Sequence, residues 1–198
     1  MTTLLGDRAI RFPRPEGVSA RAIVHAVKAW PGVVDVVVAR EDVGAYFERT
    51  IEPDEFAESI TALVDRLPDD DEPARIVGLN AVYDGVDLAW VATATQLTVE
   101  QVIRRHTSTT YTVEVMGFAP GFAYMTGLDP QLVMARRSTP RTRVPAGAIA
   151  IAGGHTTVYP FESPGGWHLI GRVVDARMFS AAGALLHLGD RVRFVEVS

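Results

Sequence analysis

The sequence contains no cysteine. That excludes a disulfide framework, a thiol nucleophile and a cysteine-ligated zinc site. It has no basic excess either: 19 Lys and Arg stand against 24 Asp and Glu, a net charge of −5. A non-specific nucleic-acid binder would want a basic stripe. No apolar run approaches the roughly 20 residues of a membrane-spanning helix, and the opening MTTLLGDRAIRF lacks the basic, apolar and small-residue blocks of a secretory signal. Also missing are a GxxxxGK(S/T) phosphate loop, a GxGxxG after a strand, an HExxH pair and a GxSxG elbow. No metal-ligand set is evident. The expectation is a soluble, cytoplasmic protein that binds neither nucleic acid nor membrane. Any ATP-linked activity would use another architecture or a separate partner.

What is present is an ordinary globular composition, 47% apolar and 22% charged. Its 198 residues allow one large domain or two small ones. Glycine and proline crowd the stretch from Val115 to Val173. Turns at Gly117 to Gly121, Gly153-Gly154 and Gly165-Gly166 alternate there with Pro120, Pro130, Pro140, Pro145, Pro160 and Pro164. Glycine admits positive φ and proline fixes φ, so this stretch is a set of defined turns between short strands. Such loops usually build a site on a rigid frame.

In the first third, Ala9 to Phe12 predicts a strand and Ser19 an N-cap. Ile23, Val24, Val27 and Trp30 form a helical stripe that Pro31-Gly32 ends. Val33 to Ala39 predicts a buried strand, with a second near Ala45 to Thr50. A helix opens at Pro53-Asp54, carries Phe56, Ile60, Leu63, Val64 and Leu67, and stops at Pro68. An acidic spacer, Asp69 to Glu72, precedes a strand from Ala74 to Leu79. The order β-α-β-β-α-β is the split βαβ, ferredoxin-like arrangement, and no residue in it carries chemistry.

Further on, Tyr83-Asp84-Gly85 signals a turn and Asp87 can cap a short helix. Thr98 to Gln101 has the form of a capping box before a helix ending at His106, where the macrodipole would favour a cationic imidazole. Tyr111, Val113 and Val115 alternate with polar neighbours as in a half-buried strand. The many short strands that follow suggest a closed or nearly closed barrel. The expected class is therefore α+β, with residues 1–82 ferredoxin-like and residues 83–198 a β-barrel.

Chemistry-bearing residues cluster in the barrel half. Arg136, Arg137, Arg141 and Arg143 offer guanidinium forks for carboxylate or phosphate, with Arg141 and Arg143 the leading pair. His155 follows the Gly153-Gly154 turn beside the hydroxyls of Thr156, Thr157 and Tyr159, where it can donate to a carbonyl or shuttle a proton. Ser163, before Pro-Gly-Gly, more simply ties a turn. Trp167, Phe118, Phe122 and Tyr124 can line a pocket or plug the barrel.

The run GFAPGFAY at Gly117 to Tyr124, GLDP at Gly127 to Pro130, TPRTRVPAG at Thr139 to Gly147, IAGG at Ile151 to Gly154 and SPGGWHLIGR at Ser163 to Arg172 closely resembles one family. It is the family of allophanate hydrolase subunit 1, the KipI-type proteins and the B-subunit of 5-oxoprolinase. Gly6-Asp7, Tyr83 to Gly85 and Leu188 to Phe194 extend the resemblance over nearly the whole chain. The resemblance implies a ferredoxin-like domain followed by a cyclophilin-like barrel. It also implies a partner, a second cyclophilin-like subunit, and in bacteria a third, lactam-utilisation component. The implied activity is that of one subunit, inactive alone, of an ATP-dependent 5-oxoprolinase that opens 5-oxoproline to glutamate. Other branches imply a carboxyltransferase part of urea carboxylase or an inhibitor of a sensor histidine kinase. This chain departs from the family at His155-Thr156-Thr157 (usually Gln-Thr-Gly), Val173-Val174 (usually Thr-Pro) and Phe179-Ser180 (usually Phe-Asp). Catalysis is expected of His155, Thr156 and Arg143, the first two polarising a carbonyl or phosphoryl oxygen. Substrate contacts are expected from Phe118, Pro120, Gly121, Phe122, Tyr124, Arg141, Gly153, Gly154 and Tyr159, with the Gly153-Gly154 backbone as oxyanion donor.

Overall fold

The computed structural model describes residues 2–52, 54–66 and 73–198, and of residues 64–66 the backbone alone. The expectations resting on Pro53, the Val64 side chain, Leu67, Pro68 and Asp69 to Glu72 lie outside that range. The chain divides into two compact units, Met1–Pro73 and Ala74–Ser198.

In the first unit, strands β1 (Thr3–Leu4), β2 (Ala9–Pro13), β3 (Val33–Val38) and β4 (Asp42–Phe47) form an antiparallel sheet in the order β1-β2-β4-β3. Helices α1 (Ala20–Lys28) and α2 (Ala57–Arg66) complete it. Ser19 caps α1 as its sequence position requires, its hydroxyl accepting from Ala22 N–H at 3.1 Å. Ile23 and Val27 on the next turns are fully buried, each worth about 1.5–3 kcal/mol of apolar transfer. Strand β3 is not buried throughout: Val36 and Val38 face inward, while Val34 and Val37 are exposed. A bulge between Val33 and Asp35 resets the alternation.

The split βαβ arrangement is not completed here. The strand expected to close it, β5 (Ile76–Val82), pairs in the second unit instead. The edge beside β2 is held by the two-residue β1. The division expected between residues 82 and 83 accordingly falls at Pro73.

The second unit is built on a closed barrel. Its strands are β5, β6 (Tyr111–Met116), β7 (Ala123–Thr126), β9 (Ala148–Ala152), β10 (His155–Val158), β12 (His168–Val173) and β15 (Arg191–Glu196), ordered β10-β7-β6-β15-β5-β12-β9. Two-stranded ladders add β8 (Arg141–Val144) with β11 (Ser163–Gly165), and β13 (Phe179–Ser180) with β14 (Gly183–Ala184). β5 and β15 run parallel, in register from Ile76 with Arg191 to Ala81 with Glu196. Helices α3 (Leu88–Ala94) and α4 (Val99–Thr107) pack on the barrel. The capping box at α4 forms as its spacing predicts, Thr98 bonding Gln101 N–H and Gln101 returning to Thr98 N–H.

Strand β9 is buried on both faces, and this sets where the site lies. Ile149 and Ile151 enter the barrel core with Leu79, Met125, Ile170 and Phe194. Ala148, Ala150 and Ala152 face a second cluster outside the barrel wall, made by Phe122, Val144, Tyr159, Trp167 and Leu169. The small alanines leave room for those aromatic rings. Gly85 is needed for a different reason: a Cβ there would stand 2.3 Å from the backbone of Ile170.

Candidate functional site

The second cluster opens to solvent as a cavity of about 90 Å³, lined by Phe118, Phe122, Tyr124, Arg136, Tyr159, Trp167 and the backbone of Pro164 to Gly166. Phe122 is its hub. Its ring meets Phe118 at 5.1 Å, Tyr124 at 5.0 Å and Tyr159 at 5.3 Å, each edge-on or tilted. Such geometries place ring edges on ring faces, as the quadrupoles prefer. Trp167 closes the wall 5.8 Å from Tyr124. Burial raises the Tyr159 hydroxyl above its ordinary pKa, while the nearby Arg136 and Arg141 and the backbone N–H of Trp167 pull the other way.

Of the substrate-contact residues expected from sequence, the structure gathers Phe118, Phe122, Tyr124 and Tyr159 around this cavity. Pro120 and Gly121 form the β6–β7 turn and do not line it. Gly121, at φ +78°, seats against Met178, where a Cβ would come within 2.8 Å of the carbonyl oxygen. Phe118 holds φ +73°, a left-handed conformation uncommon for a bulky residue, and is 65% exposed at the rim. Strain of that kind costs of order 1–3 kcal/mol and gathers at functional sites.

The polar residues are distributed differently from the expectation. His155 and Thr156 both lie in β10, so their side chains leave on opposite faces. His155 stays outside the barrel, its ring 6.4 Å from Tyr124 and its Nδ1 3.0 Å from the Gly153 carbonyl. Donation to that carbonyl puts the proton on Nδ1 and leaves Nε2 as an acceptor. Thr156 is fully buried inside the barrel, with Oγ1 2.9 Å from His106 Nε2. The two residues therefore do not address one oxygen.

Arg141 and Arg143 are also separated in role. Arg141 Nη2 donates to Asp87 Oδ1 at 2.6 Å, and Arg137 joins it there at 3.3 Å. Arg143 pairs with Glu162 at the surface. Gly153 N–H donates to the Met134 carbonyl at 2.7 Å, so it does not serve as an oxyanion donor. Gly153 and Gly154, at φ +56° and +82°, make the tight β9–β10 hairpin turn.

Two residues have roles that local reading misassigned. Asp87 makes no side-chain cap bond to α3; its carboxylate is buried and accepts from Leu169 N–H at 2.7 Å as well as from the two arginines. His106 is not a cation at a helix end. It is fully buried, and burial lowers its pKa from 6.5 to about 3. Tyr83 donates to its Nδ1 at 2.6 Å, its Nε2–H donates to Thr156, and Thr156 donates to the Ala150 carbonyl at 3.3 Å. This directional chain satisfies every member with the imidazole neutral.

Sequence reasoning ranked Arg136 below Arg141 and Arg143, and nothing local separates it from Arg137. In the structure its guanidinium carbon lies 5.8 Å from the centroid of Trp167. It pairs with no carboxylate among the described residues. No group of three or more His, Asp or Glu arranged to hold a metal occurs among the described residues.

Residues 4–185 match the family described as carboxyltransferase domain, subdomain C and D. The 5-oxoprolinase B-subunit of Bacillus subtilis is 34% identical, over 98% of this chain and 91% of its own length. The protein of the same name from Haemophilus influenzae is 35% identical, over 88% and 84%. Among solved structures, TTHA0988 superimposes with a TM-score of 0.78 at 34% identity, covering 96% of this chain and 40% of that one.

Proposed function

The chain belongs to the family of carboxyltransferase domains, subdomains C and D, and from that premise we propose that it is one component of a 5-oxoprolinase-type enzyme. The reaction is the opening of a lactam ring, 5-oxoproline to glutamate. The observation that carries this is the 34% identity, over nearly all of both chains, to a relative named as the B-subunit of 5-oxoprolinase. The site's geometry supports a shared cleft. A cavity of about 90 Å³ is well below the roughly 300–1,000 Å³ of a complete small-molecule pocket, so a second wall from a partner subunit completes it. The partner is a second barrel-containing subunit, with a lactam-utilisation subunit as a third.

In this arrangement the chain's own residues bind and orient. Phe122, Tyr124 and Trp167 exclude water from one side of the substrate, and His155 Nε2 accepts a proton beside Tyr124. The residues present do not fit a triphosphate: Arg141 is held by Asp87, Arg143 by Glu162, and Gly153 N–H by Met134. ATP, where the reaction uses it, belongs to a partner subunit.

The test is reconstitution. The chain is purified alone and together with the two proposed partners, and ATP- and 5-oxoproline-dependent glutamate release is measured. Release that requires the complete mixture is the expected result. Turnover by this chain alone, or none in any mixture, rejects the reading.

A further inference from the structure

The outer-wall cavity joins flat aromatic sides to a positive charge that pairs with no carboxylate among the described residues. Its floor is bare backbone at Gly165 and Gly166. A Cβ on Gly165 would stand 2.1 Å from the Tyr159 hydroxyl oxygen, so hydroxyl and backbone are packed as close as a glycine permits. The backbone N–H of Trp167 lies toward that hydroxyl, whose own proton is then the one directed to a ligand. Arg136 lines the same space over the Trp167 ring. The other three arginines of its cluster are each bound to a carboxylate, Arg137 and Arg141 to Asp87 and Arg143 to Glu162.

A planar ring lying against the wall that Tyr124 and Trp167 form together is served by the aromatic side chains alone. The guanidinium adds most where the ligand carries an anion, and its fork geometry matches a carboxylate. The positive field of Arg136 and Arg141 at the Tyr159 hydroxyl points the same way. The part of the pocket that this chain supplies, about 90 Å³, is on the scale of a small ring acid.

Resting on the lactam reading above, we propose that this pocket is the carboxylate subsite for a small cyclic amide acid. Arg136 is its specificity-determining cation, the Tyr159 O–H a second donor, and Trp167 the surface against which the ring lies. Arg141 and Arg143, favoured from sequence, are positioning and surface residues by comparison.

The experiment is calorimetric titration of the full chain, and of the reconstituted complex, with 5-oxoproline and with pyrrolidin-2-one, the same ring without the carboxylate. The acid is expected to bind the complex roughly ten- to a hundredfold more tightly than the neutral lactam. Arg136→Ala removes that preference and Arg136→Lys restores part of it, with the thermal midpoint unchanged in both. In turnover, Arg136→Ala raises KM for the acid by a similar factor and changes kcat far less. Equal binding of the acid by wild type and Arg136→Ala, or no measurable binding by the complex, overturns the subsite. The two readings fail separately. A complex that opens the lactam with unchanged KM in Arg136→Ala keeps its function and loses this subsite. A complex without turnover whose carboxylate preference still depends on Arg136 keeps the subsite and loses the function.

Discussion

His106 Nε2 lies 2.9 Å from Thr156 Oγ1 in the interior of the barrel, and both residues are fully buried. The pair joins helix α4 to strand β10 and holds the helix against the barrel. Thr156, the middle of a histidine-threonine-threonine sequence beside a glycine turn, spends its hydroxyl on the fold.

Burial of His106 makes stability depend on acid. The folded pKa of His106, about 3, lies below its ordinary 6.5, so between those values the unfolded chain binds the extra proton. Its contribution is complete above pH 6.5 and is lost as pH falls toward 3, at about 1.4 kcal/mol per pH unit. His106→Gln should cost about 1–3 kcal/mol at neutral pH and flatten that slope. Urea midpoints at about pH 7.5 and about pH 4.5, on either side of the ordinary histidine value, test it, and an unchanged slope in the variant assigns the acid sensitivity elsewhere.

The two carboxylates that hold Arg137, Arg141 and Arg143 should respond differently to loss of charge. Asp87 is buried and bonds Arg137, Arg141 and Leu169 N–H. Asp87→Asn should destabilise by about 1–3 kcal/mol, since buried donors are left without full partners. The Arg143–Glu162 pair is exposed on both sides, so Glu162→Gln should change stability by less than about 1 kcal/mol. Chemical denaturation of the two variants side by side compares them directly.

Gly165 and Gly153 should tolerate alanine for different reasons and to different extents. At Gly165 the new methyl collides with Tyr159; overpacking of that kind costs typically about 1–3 kcal/mol and should displace the ring that bounds the pocket. At Gly153 there is open space, but φ is +56°, so the penalty is the left-handed strain of about 1–2 kcal/mol. Near-ultraviolet circular dichroism should change in Gly165→Ala and stay as in wild type in Gly153→Ala.

Phe118 combines φ +73° with exposure at the pocket rim. Phe118→Gly should leave the thermal midpoint equal or higher by relieving the strain. It should also weaken assembly or turnover of the reconstituted complex, because an exposed aromatic beside an incomplete pocket is where a partner would anchor. Unchanged turnover together with unchanged stability would leave the strained rim without a functional part.

The readings that matched the structure rest on contacts a few residues apart. The Ser19 cap, the Thr98–Gln101 box and the Gly153-Gly154 turn are each closed by neighbours in the chain, so residue type and spacing suffice. The aromatic residues of the pocket were legible too, because Gly117 to Tyr124 and Ser163 to Trp167 are dense in turn-forming and aromatic residues. His155 and Thr156 were read as one polar tip. The strand alternation that sends them to opposite faces was present in their adjacency, but it needed the strand to begin at His155.

By itself the amino-acid order determined the α+β content, the caps and turns, and which short segment would gather rings. Only the tertiary structure decided that the strand at Ile76–Val82 belongs to the barrel, because its partners, Arg191 to Glu196 and Arg172-Val173, lie far along the chain. It also decided which arginine stays uncommitted. Arg136, Arg137, Arg141 and Arg143 are the same side chain in one short run, and what separates them is the distance to Asp87 and Glu162, which no local pattern encodes.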